Sequence, residues 1–287
     1  MDKRKRKTML IIFGCIAAVL LAGIFVTKGS RPPTESIQTV MRDAVLHDVN
    51  RINFFGFDSS PGLVSAYVTT AIITVAAIIL RLFFIPRFKT IPGRLQSALE
   101  WVVGAFDRMS EGEHEKNANS GEGADSLPVR RTSNLLGAYI FAAGTYIFIG
   151  TLMELFGLQA VASNGNPVSL PAPLSDINGA IMMGCTSYLF IMLGGIINNG
   201  PRGVLLTIKE YSLPISMSFR LFGALLSGAL VTELVYYYTG LSFVLPVLVS
   251  VMFTCLHALI QAYVLTMLVS LFFGEVSQPK ARRLEAK

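Results

Sequence analysis

Histidine, cysteine and tryptophan are scarce in this chain, at three, three and one among 287 residues. Cys15, Cys185 and Cys255 all lie inside apolar runs, with no Cys-x-x-Cys pair and no histidine at ligand spacing. Thiols placed that way act as small hydrophobes, which argues against a disulfide framework or a metal centre. There is no glycine-rich phosphate loop, nucleophile elbow or His-Glu-x-x-His motif, so no cofactor and no catalytic residue is expected. Charge is sparse as well: Asp, Glu, Lys and Arg make up 15% of the chain against 52% hydrophobic residues, and the mean hydropathy is +0.57. That balance belongs to an integral membrane protein rather than a soluble globule. The net charge of +6 comes from Lys and Arg flanking the apolar runs, and reads as topology rather than nucleic-acid binding.

Long apolar runs fill most of the chain. The first, residues 8–26, follows a basic run from Lys3 to Lys7 that holds the N-terminus in the cytoplasm. It exceeds a signal-peptide core and no Ala-x-Ala site follows, so an uncleaved anchor is expected over residues 1–29. Residues 30–62 mix charge with Phe54, Phe55 and Phe57 and read as an external surface segment. A second span covers about 63–85 and ends at Pro86, with Arg81 close enough to its inner end to snorkel. Residues 94–109 are amphipathic around Leu95, Leu99, Trp101, Val102 and Phe106 and are expected to lie along the cytoplasmic face. Residues 111–125, rich in Gly, Asn, Glu and Ser, read as a flexible loop carrying a solvated His114. The third and fourth spans are about 134–156 and 177–197.

Basic residues decide the threading. Residues 87–131 contain seven Lys and Arg, whereas 157–175 contain none. Alternating sides puts every basic-rich connection inside, including 86–132 and the tail 279–287, with both termini cytoplasmic. The expected fold is an all-α polytopic membrane protein of about six transmembrane helices, in the plasma membrane of a bacterium, with its core at 63–278. The last two runs, 211–238 and 241–273, would be about 42 and 50 Å long as continuous helices. The hydrocarbon core is only about 30 Å thick. They are therefore expected to be strongly tilted and paired as a hairpin joined near Thr239-Gly240.

Of the 24 Lys and Arg residues, only Arg220 sits deep inside an apolar run. A guanidinium cannot shed its charge, and one near the bilayer centre costs about 2.5–3.5 kcal/mol on insertion scales. It needs an anionic partner or water. Ser216, Arg220, Ala224 and Ser227 share one helix face, and the small residues Gly223, Ala224, Ser227 and Gly228 around the cation suit close approach of a helix from another molecule. The last run carries Ser250, Thr254, His257 and Gln261 as a single polar stripe. That stripe either lines water or faces Arg220, with Gln261 able to orient the guanidinium and His257 serving a proton relay or a structural hydrogen bond. Glu233 lies nearly opposite Arg220 on its own helix, and Glu154 and Asp176 fall near the outer ends of the third and fourth spans. All three are candidates for an outer proton path.

These residues resemble subunit a of the F-type ATP synthase. The resemblance rests on Ser218-Phe-Arg-Leu-Phe-Gly223, on His257-Ala-Leu-Ile-Gln-Ala-Tyr-Val264, and on Pro173-Leu-Ser-Asp-Ile177, and spans roughly residues 60–278. It implies a stationary, non-catalytic subunit beside a ring of c subunits, held by peripheral-stalk b subunits and the remaining ATP synthase subunits in the lipid bilayer. It also implies two half-channels that couple proton flow to rotation and ATP synthesis. Arg220 would face the ion-binding carboxylate of a passing c subunit, Gln261 would neighbour it, and Asp176, Ser216 and Pro214 match lesser motif positions. The chain departs from the family at Ala224, where Asn is usual, and at Ala229 and Thr254, where relatives often carry Glu or His. Glu233 and His257, each one turn away, are expected to replace the missing groups.

Two other classes compete. An independent secondary transporter would use Arg220 to bind an anionic substrate, and a membrane scaffold would tolerate its loss. The absence of an internal repeat counts against the transporter.

Overall fold

The apolar runs become helices whose starts are marked by residues that cap or pre-set a first turn. The computed structural model describes residues 22, 36–46, 52–54, 57–89, 93–118, 127–161, 165, 167–237 and 245–277. Apart from Ala22, the expected first span at 8–26 lies outside the described residues, as do Thr239-Gly240 and the tail.

A short helix, α1 (Ile37–Leu46), and a hairpin of β1 (Ile52–Phe54) with β2 (Phe57–Ser59) precede the first described span. That span is α2 (Pro61–Ile79), continued by a π turn at Leu80–Phe84 and a 3-10 turn at Ile85–Arg87. Ser60 caps it by accepting the Leu63 N–H at 3.3 Å, and Pro61 has the fixed φ suited to a first turn. Next comes α3 (Arg94–Ala118), then α4 (Leu127–Leu152), extended by a 3-10 turn at Met153–Phe156. A hairpin of β3 (Gln159–Val161) and β4 (Pro167–Ser169) leads to α5 (Ile177–Asn199). The rest is α6 (Pro201–Ile208), α7 (Ser212–Tyr237) and α8 (Leu245–Ser277). Among the described residues, five helices are long and apolar enough to cross a membrane.

One expectation is corrected. Residues 111–118, read as the start of a flexible loop, continue helix α3 to Ala118. The Glu, Lys and Ala residues there are good helix formers, and that propensity outweighs the polar, Gly-containing composition that suggested a loop.

Core packing follows helical period. On α4, Leu136, Ile140, Ala143 and Ile147 are buried; on α7, Leu213, Met217, Leu221 and Leu225; on α8, Ala262, Leu265, Val269, Phe273 and Val276. These stripes form one cluster together with Ala180 and Ile191 of α5. Phe106 of the amphipathic α3 packs onto the same cluster and meets Phe141 edge to face at 5.5 Å. Glycine makes two of these contacts possible. A Cβ at Gly194 would overlap the Phe273 ring, and one at Gly184 would overlap Ser218 Oγ and lie 2.8 Å from the Pro214 carbonyl oxygen. Gly200, at φ 60°, supplies the left-handed turn between α5 and α6.

The two last helices are long, as their sequences require. At 26 and 33 residues they extend about 39 and 50 Å, more than a bilayer core. They pack against each other.

Candidate functional site

Two helices, α7 and α8, carry the Arg220 and His257–Val264 motifs on opposite sides of one seam. On α7 the residues that recur every four positions, Leu213, Met217, Leu221 and Leu225, turn inward, which leaves Ser216, Phe219, Arg220, Gly223 and Ser227 exposed. Arg220 is therefore flanked on α7 by the exposed apolar side chains of Ile215 and Phe219, and α8 carries an exposed apolar stripe of its own at Leu256, Leu259, Ile260 and Tyr263. Among the described residues, none gives the guanidinium a hydrogen bond or an ion pair. A cation in that setting calls for an anion from beyond the described residues.

Gln261 is buried in the seam, with 5% of its surface exposed. Its Nε2 donates to the backbone carbonyl of Arg220 at 3.4 Å. The sequence suggested that Gln261 orients the guanidinium. What it holds instead is the main chain at Arg220, fixing the register of α7 against α8 just where the charge is.

The small residues divide. A Cβ added at Gly223 would meet nothing within 4 Å, whereas one at Gly228 would lie 3.9 Å from Phe253. Gly223 and Ser227 thus face outward beside Arg220, and Gly228 belongs to the seam. Ala224 is half-buried between them.

One to three turns beyond Arg220, α7 and α8 flank a narrow cleft with room for about one water molecule, lined by Glu154, Ala224, Leu225, Gly228, Thr232, Phe253, Thr254 and His257. Glu154 enters from the 3-10 turn that ends α4, a turn closed by Gly157 at φ 57°. His257 stacks on Phe253, with ring centroids 5.5 Å apart and planes 12° apart, and its Nδ1 lies 2.9 Å from the Phe253 carbonyl oxygen. A neutral imidazole in that geometry donates from Nδ1, which leaves Nε2 as an acceptor. A carboxyl group and an imidazole thus line one cleft, as a short proton relay requires. Thr254 is buried beside them. Glu233 is half-buried and follows the cleft residue Thr232, but is not itself part of the cleft wall.

Asp176 is engaged elsewhere. It caps α5, accepting the Asn178 N–H at 2.9 Å, and accepts a second hydrogen bond from Ser60 Oγ at the start of α2. It thereby pins two helix starts together and does not line the cleft. The residues that sequence reasoning missed are Phe253, Thr232 and Ser60. Phe253 had a signal in the chain, lying one turn before His257; Ser60 had none, because its partner is distant in sequence.

The family model described as ATP synthase A chain matches residues 68–274, well over half of the chain, from within α2 to within α8.

Proposed function

The chain belongs to the ATP synthase A chain family, and from that premise we propose that it is the stator half of a rotary proton path, with Arg220 facing the carboxylates of a ring of c subunits. The supporting observation is the location of Arg220: exposed, mid-helix, on an apolar surface, with the open positions Gly223 and Ser227 beside it. An apolar helix bearing one carboxylate supplies what this face lacks, hydrocarbon for its hydrocarbon and a negative charge for its cation.

The mechanism follows from electrostatics. A proton from the outer side enters the cleft, passes between Glu154 and His257, and neutralises a c-subunit carboxylate. Once neutral, that group can turn into lipid without the cost of burying a charge. After nearly a full turn it approaches Arg220 from the other side, where the cation favours its ionised form and releases the proton inward. Ser216, one turn before Arg220 on the same exposed face, starts this second path. The fixed charge repels a proton moving straight through, so flow requires rotation. Each elementary charge crossing 100 mV makes about 2.3 kcal/mol available. Peripheral-stalk b subunits hold the chain against the resulting torque.

Two experiments test this reading. In membranes holding the complete enzyme, Ser227→Cys should form oxidative cross-links to cysteines placed along the outer helix of a c subunit, and Tyr67→Cys on α2 should not. Adducts from Tyr67→Cys alone would place the ring on another face. For the outer path, His257→Ala combined with Glu154→Gln should slow ATP-driven proton pumping by about tenfold or more, given what a positioned acid–base group contributes. Glu233→Gln, off the cleft wall but next to it, should slow pumping less alone and deepen the defect of His257→Ala. Unchanged pumping when all three are replaced would remove the cleft from the path.

A further inference from the structure

Helices α5 and α7 meet main chain to main chain at Gly184, where an added Cβ would lie 2.8 Å from the Pro214 oxygen and 3.2 Å from the Ser218 nitrogen. Helices packed at an angle touch most closely at one point and diverge from it. On one side of this point they enclose a cavity of about 250 Å³. Its α5 wall is Ile177, Ile181 and Cys185, and its α7 wall includes Ile215, Phe219 and Phe222. From Cys185 to Ile177 the cavity follows α5 for about 12 Å, ending at the first residue of that helix.

The walls are hydrocarbon. Ile177, Ile181, Cys185, Ile215 and Phe219 are all exposed, so the cavity opens away from the protein. Ser218, also in the wall, donates its hydroxyl proton to the Pro214 carbonyl at 2.6 Å and has no donor left for a guest. An apolar cavity of even about 150 Å³ stays dry and takes a guest of benzene size. A guest here is therefore apolar and needs no hydrogen bond.

Size and direction narrow the choice. A helix is about 10–12 Å across, and 12 Å of one fills about 900 Å³ or more, so no helix enters. At about 100° per residue, every α7 residue of the wall lies about 100° or more around the helix from Arg220, and Ser218 and Phe222 lie about 160° from it. Arg220, Gly223 and Ser227 are not in the wall. The cavity thus sits behind α7, off the face that carries the charge.

We propose that this cavity binds one acyl chain of a phospholipid from the outer leaflet, held by hydrocarbon contact and without selection of the headgroup. The surrounding bilayer supplies flexible hydrocarbon chains at the cavity's mouth. Residues 157–175, just before α5, contain no Lys or Arg, which sets the Ile177 end outside and gives an anionic headgroup no cation there. A chain entering beside Ile177 runs inward to Cys185. There it braces α7 from behind, through the dispersion contacts that a void would forfeit.

The test uses the complete enzyme in vesicles of zwitterionic and anionic phospholipids, each tried in turn with a diazirine on its acyl chain. The enzyme is then moved into a lipid-free steroid-based detergent, which brings no flexible chain of its own, and irradiated. Peptide mapping should find label on residues 177–185 and 215–222 at about tenfold or more over residues 189–197, a difference of about 1.4 kcal/mol in retention. The comparison stretch is fair, because Leu189, Leu193, Ile196 and Ile197 of the same helix are also exposed. Both phospholipids should label alike. Cys185→Phe fills the groove and should cut this label about tenfold, whereas Leu193→Phe should leave it unchanged. ATP-driven pumping by each variant reports that the enzyme has assembled. Label spread evenly along α5 would mean solvating lipid only and would overturn the proposal. So would the loss of all label in the detergent, as when residues 8–26 or another subunit plug the groove, or a tenfold preference for one headgroup.

Discussion

Arg220→Ala is expected to abolish ATP-driven proton pumping, with dye quenching in inverted vesicles at background, while the subunit still accumulates in the membrane. The two outcomes come from the same physics. Among the described residues the guanidinium has no partner, so removing it leaves no orphaned group among them and relieves about 2.5–3.5 kcal/mol of insertion cost. A residue kept only for packing would behave the other way, with stability lost and activity falling in step. With Arg220 gone, nothing forces an arriving carboxylate to ionise, and nothing repels protons from a direct route between the two paths. Passive proton conductance should therefore rise once the catalytic head is stripped off. Arg220→Lys should also fail, because an ammonium is a compact, strongly hydrated charge that can deprotonate when desolvated. Pumping by Arg220→Ala above about a tenth of normal would contradict the assigned role.

Gly184→Val should be as damaging by a different route. The obstacle to a side chain there is the main chain of α7 as well as the Ser218 hydroxyl: the added Cβ would lie 2.8 Å from the Pro214 oxygen and 3.2 Å from the Ser218 nitrogen. Backbone cannot swing aside as a side-chain tip can. The helices must separate, at the 1–3 kcal/mol or more typical of overpacking, and the separation falls two residues from Arg220. Loss of the subunit from the membrane, or its presence with a strongly reduced melting temperature and no pumping, is the expected result. Gly223→Val makes the matching control, since a Cβ at Gly223 has open space within the chain. It should leave the abundance and thermal stability of the subunit intact while blocking the approach of the ring and hence pumping. Normal stability in Gly184→Val, or normal pumping in Gly223→Val, would show that the helix contact or the ring-facing surface is wrongly placed.

Much of this was legible in the chain. Hydropathy located four of the five described spans to within a few residues at each end, and the last to within five at either end, because an apolar helix in lipid announces itself by composition alone. The cation at Arg220 was legible for the same reason, since a permanent charge in hydrocarbon is rare and costly. The polar stripe of Ser250, Thr254, His257 and Gln261 was legible as a face, because period fixes which residues of a helix lie together.

What period cannot say is what a face meets. Only the folded chain brings Glu154 beside His257, ties Ser60 to Asp176, and shows Gln261 bonded to the Arg220 carbonyl instead of its guanidinium. Each of these joins helices far apart in sequence, and depends on how one rod crosses another rather than on the order of residues along either. The sequence by itself determined that this is a membrane protein with one lasting charge in its apolar interior, since transfer free energies belong to residues one at a time. Tertiary structure alone decided that the charge looks outward and that the cleft lies beyond it, since those depend on crossing angles and registers set by many contacts at once.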